Sequence, residues 1–362
     1  MSIKIEKCLG IDIGSFSVGI SQCLIMGSSA SCQFTENIPL DGWDPVDVIN
    51  TFIETTRPVG GLAKHAAFSM PDSKFFCRYF KLPKAEEAKL KILIEHEASQ
   101  QIPFPIENTV YSYQVFDIPD NEDEVRVSLN AIQTNKIVDF QDMISRINIK
   151  SLGISNESSA FMNWARYFSR ESDKLSVYVH LGHKSTLLIV PDDLGMILFS
   201  RPILLGGNNI TDIVEVTEGL NEKNANEFKR DLPGLNSNTN DLVEKFYKRL
   251  VGEIRRSLDY AITQPDGIAY DQMVVSGGMS NSLVFCDYLM KNSFNNFIFL
   301  CEEEKNPIPI GLALQGLDLG LYKTQYTTKC RRNNKITLLN KILGNMHGRD
   351  NRFIRSFREL IS

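Results

Sequence analysis

Apolar and polar positions alternate with the period of a β-strand over the first 35 residues, as in CLGIDIGSFSVGISQCLIMGSSASCQF (8–34). This pattern predicts a meander with short turns at Gly14–Ser17 and Gly27–Ser29. The period lengthens in DPVDVINTFIETTRP (44–58), where Asp44 stands at a helix-capping position and Pro45 in the first turn. Two further strands are predicted in KHAAFSMPD (64–72) and KFFCRYFKLP (74–83), then a helix over KAEEAKLKILIEHEASQQ (84–101). Two prolines in IPFPIE (102–107) stop that helix by enforcing extended backbone. TVYSYQVFDIP (109–119) and EVRVSLNAIQT (124–134) read as paired strands across an acidic turn, with a helix following in NKIVDFQDMISRI (135–147). Residues 75–150 therefore read as a compact strand–helix–strand–strand–helix unit that could be inserted into a larger domain. A second strand-rich stretch runs over 175–207, helical sequence over 209–262, a buried strand into a Gly-Gly turn over 272–281, and a helix over 308–322.

Length and composition add bounds. The chain has 362 residues, 43% apolar and 23% charged, enough for two ordinary cores. No apolar run reaches the ~18 residues of a membrane helix, and MSIKIEKC at the N-terminus has no apolar signal core, which argues against secretion. Seven scattered cysteines without a CxxC pair fit free thiols in a reducing cytosol. The net charge of −5 is unevenly spread: residues 321–362 hold ten Lys/Arg against two acids, and the acidity lies in the rest. An acidic body argues against general nucleic-acid binding.

An internal repeat carries the candidate chemistry. GIDIGSFSVGI (10–20) lies over YVHLGHKSTLLI (178–189), so that Asp12 matches His180, Gly14 matches Gly182, Ser17 matches Ser185 and Val18 matches Thr186. Two glycine hairpins 168 residues apart suit a ligand clamped between two lobes. Backbone N–H groups in such turns form an anion nest, and small residues let a phosphate approach. An ordinary hairpin turn would use the same residue types.

Six segments together resemble the actin-like ATPase superfamily, and within it the PilM family of type IV pilus assembly proteins. They are IDIGSFSV (11–18), IEHEASQQIPFPIE (94–107), SRPILLGGNNIT (200–211), EIRRSLDY (253–260), VVSGG (274–278) and IPIGLALQG (308–316). EHEASQQIPFP favours PilM over actin, heat-shock chaperones, sugar kinases and the related cell-division protein FtsA. The resemblance implies an α/β, two-lobed actin-like fold with two ribonuclease H-like cores. Residues 1–74 and 151–174 would form the first lobe, 75–150 an inserted small α+β subdomain, 175–320 the second lobe and 321–362 a basic tail. It also implies ATP with Mg²⁺ in the cleft, and a place on the cytoplasmic face of the inner membrane among the pilus platform proteins. There the protein would grip the N-terminal peptide of a PilN-like partner beside the inserted subdomain.

By the same resemblance Gly14, Ser15, Phe16 and Ser17 would form the first phosphate loop, and Asp12 would hold Mg²⁺ through water. Gly182, His183, Lys184 and Ser185 would form the second loop. The family's acid at this turn is replaced by His180, which puts hydrolysis in doubt, although a histidine could pair with phosphate. Lys184 could donate to phosphate or be a solvated turn lysine. Gly206 and Gly207 open a helix that could face phosphate or ribose. Lys229 in NANEFKR (224–230) matches a helix contacting ribose and adenine, but Asn226 stands where an acid is usual. Gly277 and Gly278 would let adenine lie against backbone. Glu157 matches a water-orienting carboxylate of hydrolysing relatives; the alternative is a helix-start acid favoured by the dipole.

His96-Glu97 lacks the second histidine of a zinc protease, and no Walker A or GxSxG motif is present. In the tail, Phe353, Ile354, Phe357, Leu360 and Ile361 follow helical spacing beside Arg349, Arg352, Arg355 and Arg358. Such a helix over 330–362 could lie on an anionic membrane, or dock on a partner or on the protein's own body. The favoured reading is a nucleotide-binding adaptor with weak or absent hydrolysis. The alternatives are a working actin-like ATPase and an FtsA-like membrane-tethered filament protein.

Overall fold

The computed structural model describes residues 5–27, 29–57, 61–118, 121–168, 174–228, 236–264, 267, 269–292, 297–300, 306–323 and 326. The opening meander is β1 (Lys7–Ile13), β2 (Ser17–Met26) and β3 (Ser29–Pro39). Helix α1 (Pro45–Thr56) begins as predicted: Asp44 accepts from the Val46 N–H at 2.8 Å and proline occupies the first turn. Strand β4 (His65–Met70) returns parallel to β1, and β8 (Lys150–Asn156) lies parallel to β4, giving a sheet of order β3-β2-β1-β4-β8.

Between β4 and β8 lies a small three-stranded antiparallel sheet. It is built from β5 (Phe76–Pro83), β6 (Thr109–Ile118) and β7 (Asn121–Gln133), in the order β5-β7-β6. Helix α2 (Glu87–Gln101) covers it, placing Leu90, Ile94 and Ala98 among Leu82, Val127 and Leu129. This helix starts three residues later than its charge pattern suggests, because the Lys84 N–H is bonded to the Asp123 carbonyl at 2.7 Å and prolongs the sheet. Helix α3 (Thr134–Ser145) leads back to β8.

After α4 (Glu157–Phe168), the second strand-rich stretch gives β9 (Ser176–Leu181), β10 (Thr186–Pro191) and β11 (Ile197–Ile203). With β12 (Gln272–Ser276) and β13 (Phe297–Phe299) these form a sheet of order β11-β10-β9-β12-β13. The two large sheets share one plan: an antiparallel meander, then two parallel strands beside its first strand. The helical stretch expected over 209–262 is three helices, α5 (Gly207–Glu218), α6 (Glu222–Phe228) and α7 (Ser237–Thr263). Gly219, left-handed at φ 65°, ends α5.

Strand β1 buries both faces. Leu9, Ile11 and Ile13 pack with Ile49 and Ile53 of α1 and Ile137 of α3. On the other face Cys8 joins α4 and α9 (Pro307–Gly316) in a cluster that also takes Tyr178, Leu187 and Ile189 from the second large sheet. Helices α4 and α9 are therefore shared between the two large sheets. The second sheet's opposite face packs Val177, Val179 and Leu181 against α5, α7 and α8 (Leu283–Asn292). No helix among the described residues is long and apolar enough to cross a membrane.

Candidate functional site

The two repeat turns have the same backbone closure. The Gly14 N–H donates to the Ser17 carbonyl at 3.1 Å, and the Gly182 N–H to the Ser185 carbonyl at 3.0 Å. An added Cβ would stand 2.8 Å from the Ser17 oxygen in the first turn and 2.7 Å from the Ser185 oxygen in the second, so both positions need glycine. The turns meet: the rings of Phe16 and His183 have centroids 5.1 Å apart. Ser15 and Lys184 are exposed at the tips, and among the described residues their N–H groups have no bonding partner. Helix α5 is pinned to the second turn, its Gly207 N–H bonded to the Gly182 carbonyl at 3.0 Å and its Asn208 N–H to the His183 carbonyl at 2.8 Å. Gly206 packs against the His183 backbone, where a Cβ would come within 2.4 Å.

The repeat extends to the side chains at the strand ends. Asp12 of β1 is opposite Ser69 of β4 and accepts its hydroxyl. His180 of β9 is opposite Ser276 of β12, and its Nδ1 bonds the serine Oγ at 2.9 Å. Burial pushes the Asp12 carboxyl up to about 6 against the Ser69 hydrogen bond, and burial pushes the His180 imidazole down to about 4. His180 is therefore neutral at pH 7 and brings no positive charge to a phosphate.

Asp72, just after β4, is the residue that the sequence pattern does not reveal. It is 1% exposed; its Oδ1 accepts from the Ser158 N–H at 2.9 Å and its own N–H donates to Glu157 Oε2 at 3.0 Å. Its Oδ2 is buried without a partner. Glu157, in the first turn of α4, has its carboxyl held well above the ordinary range by burial first, then by the charges of Asp12 and Asp72. Burial likewise raises Asp72 to about 6. Among the described residues no three such side chains converge tightly enough to enclose a metal ion. One carboxylate with waters and phosphate oxygens is instead the Mg²⁺ mode that Asp12 fits. A cation there would offset the negative charge that Asp12 and Asp72 place on Glu157.

The Gly-Gly turn after β12 divides its roles. Gly277, at φ 93°, packs on the Leu181 backbone, whereas a Cβ at Gly278 would meet nothing within 4 Å, leaving an open backbone face. Lys229 lies outside the described residues, as does the tail helix expected beyond 330. Asn226 spends its side chain on the Thr211 hydroxyl, at 3.0 Å, and on the Glu222 carbonyl.

A groove of about 690 Å³ lies along the edge strands β5 and β11, with Asp72, Phe76, Tyr79, Arg126, Phe199 and Tyr260 among its lining. Tyr79 and Ser200 hydroxyls bridge it at 3.3 Å. Arg126 of β7 crosses to Asp192, beyond β10, in an ion pair whose side chains are only 10% and 5% exposed.

The family model for type IV pilus assembly protein PilM matches residues 10–293. The chain belongs to the PilM family. Among solved structures, a PilM-PilN type IV pilus biogenesis complex superposes with a TM-score of 0.73 at 18% identity, over 87% of this chain and 99% of that one. Ethanolamine utilization protein EutJ from Carboxydothermus hydrogenoformans aligns with a TM-score of 0.52 at 11% identity, over 85% of this chain and 89% of that one. Both likenesses concern the fold, which is the α/β actin-like fold of this family.

The buried acids and His180 predict opposite pH dependences. Asp72 binds its proton more tightly folded than unfolded, so its contribution to stability grows as pH falls through about 6. The stability of Asp72→Asn relative to the native chain should therefore rise by about 1–2 kcal/mol between pH 5 and pH 7.5. For His180 the unfolded chain binds the extra proton, and stability is lost as pH falls from 6.5 towards 4. His180→Asn should gain about 2 kcal/mol on the native chain over the reverse interval. Urea unfolding of all three chains at both pH values measures this; parallel curves would mean that neither group titrates anomalously.

Proposed function

We propose that this PilM-family chain is a nucleotide-binding adaptor of a type IV pilus assembly platform. It would work on the cytoplasmic face of the inner membrane. The observation that carries this reading is the meeting of two like glycine turns, Gly14–Ser17 and Gly182–Ser185, whose rings Phe16 and His183 lie 5.1 Å apart. The open N–H groups at their tips, the pinned start of α5 and the open backbone at Gly278 suit the phosphates, ribose and base of ATP. When bound, Mg²⁺ would neutralise phosphate charge, with Asp12 as its carboxylate.

The residues favour binding over turnover. Hydrolysis needs a group to position and deprotonate water. His180 is neutral and committed to Ser276, and Glu157 is committed to the Asp72 N–H with its carboxyl raised. A closed cleft would then favour one arrangement of the lobes, a population shift without a power stroke. The groove along β5 and β11 is the candidate seat for the PilN-like peptide: each is the end strand of its sheet, the place where an extended chain could add by backbone hydrogen bonds.

Calorimetry with ATP and Mg²⁺, followed by phosphate release over hours and hydrogen exchange with added partner peptide, tests the reading. The expected result is micromolar binding lost in Asp12→Asn, no release, and protection of β5 and β11 by the peptide. Steady turnover would favour the working ATPase, with Glu157 as the residue to mutate. Absence of nucleotide binding would overturn the cleft assignment and leave only the groove.

A further inference from the structure

Three cysteines stand side by side on the first sheet. Cys8 of β1 is opposite Cys23 of β2, and Cys23 is opposite Cys32 of β3. The second pairing exists because β3 bulges: Gln22 pairs with Phe34 and Cys23 with Cys32, so Gln33 is passed over. A bulge re-aims side chains, and here it brings the edge-strand cysteine onto the face of Cys23. All three belong to the cluster under α4 and α9. Cys8 and Cys23 are fully buried, whereas Cys32 is half-buried on β3, the edge of its sheet.

Directly opposed residues of antiparallel strands have Cα atoms about 4.5–5.5 Å apart. That falls inside the ~4.4–6.8 Å range that a disulfide requires. Facing one another, the two thiols shift apart: Cys23 holds the Cys32 thiol below its ordinary range, while Cys32 and burial push the Cys23 thiol well above. As a thiol, Cys32 donates to the Phe34 carbonyl at 3.3 Å, a bond that ionisation gives up. The third cysteine is spectator packing: a Cβ on Gly316 of α9 would fall 2.2 Å from the Cys8 sulfur, and burial raises its thiol to about 12. The arrangement thus holds a half-buried cysteine on an edge strand, with a fully buried one directly opposite it.

We infer that Cys32 is a peroxide-reactive thiol and Cys23 its resolving partner, the pair forming a reversible cross-strand disulfide between β2 and β3. In the first step the Cys32 thiolate attacks one peroxide oxygen. An S–O bond forms, the O–O bond breaks, and the departing oxygen leaves as hydroxide or alkoxide. The sulfur is oxidised by two electrons to a sulfenic acid and the peroxide is reduced. In the second step the Cys23 sulfur attacks the Cys32 sulfur. The S–S bond forms, the S–O bond breaks, and the Cys23 proton leaves with that oxygen as water. A dithiol restores both thiols by exchange.

The test is differential alkylation and peptide mapping of the full chain during treatment with equimolar hydrogen peroxide. A Cys23–Cys32 disulfide should form at least ten-fold faster than Cys77 or Cys286 is oxidised, and dithiothreitol should reverse it. In Cys23→Ala the disulfide should vanish while Cys32 accumulates as a sulfenic acid trapped by dimedone. In Cys32→Ser, Cys23 should stay reduced. Oxidation of Cys32 no faster than that of Cys286, or a Cys32 disulfide formed with any cysteine other than Cys23, would overturn the proposal.

Discussion

Gly311→Ala should be among the most damaging single substitutions in the chain, lowering stability by about 3 kcal/mol or more, as a drop in urea midpoint. Helix α9 is buried along Pro307–Gln315. A Cβ on Gly311 would lie 1.8 Å from the Ala160 carbonyl oxygen of α4, and a Cβ on Gly10 of β1 equally close to the Pro309 oxygen of α9. The helix is thus held by backbone-to-backbone contact on two sides. Backbone cannot step aside as a flexible side chain would, so α9 itself must move. Moving it uncouples Ile308, Leu312 and Leu314 from the cluster shared by both large sheets. A control separates this from the general effect of alanine. Gly252 lies inside α7, where a Cβ would meet only the Arg256 Nη1 at 3.9 Å. Gly252→Ala should leave stability unchanged or raise it by up to ~1 kcal/mol, since alanine restricts the unfolded chain and favours helix. Equal effects at both positions would refute the packing argument.

The same contacts show what a sequence can and cannot reveal. The two glycine turns were legible because a hairpin turn is local: a few adjacent residues with a Gly and hydroxyls carry the signal, and the repeat gives it twice. The Asp44 cap and Pro45 were legible for the same reason. The match of Asp12 with His180 was visible as alignment, but its meaning was not. Each pairs with a serine on the neighbouring parallel strand, Ser69 or Ser276, 57 and 96 residues away, and burial then sets their ionisation in opposite directions. Asp72 was missed because its partners Glu157 and Ser158 are some 85 residues distant and no spacing rule connects them. Its one local signal is position: it follows β4, the parallel neighbour of the strand that carries Asp12. The helical stretch over 209–262 carries its own punctuation, Gly219 after α5 and the Pro233-Gly234 pair ahead of α7, which helical periodicity alone passes over.

Arg126 carries the second large effect, and it concerns how the small sheet is attached. Its guanidinium leaves β7 and pairs with Asp192, which already caps its own turn by accepting from the Leu194 N–H at 3.0 Å and the Met196 N–H at 2.8 Å. Arg126→Met keeps most of the side-chain volume but leaves Asp192 buried and short of a counter-charge. Breaking a buried pair from one side costs about 3–5 kcal/mol, mostly the penalty of the stranded charge. Adding Asp192→Asn to Arg126→Met should recover part of that loss, because the amide oxygen can still accept from the turn while the charge is gone. A further loss on adding it would show that Asp192 acts through its turn bonds alone. The pair also ties the small sheet to the second large sheet across the groove between β5 and β11, where the Tyr79–Ser200 hydroxyl bridge is the other polar link described. Amide exchange in Arg126→Met should therefore quicken first along β5 and β11, the two edge strands that line the groove, while β9 in the middle of its sheet stays protected. A uniform change in all strands would mean that the pair stabilises the whole molecule, without any particular hold on the groove. The expected pattern would make Arg126 the residue that sets groove width.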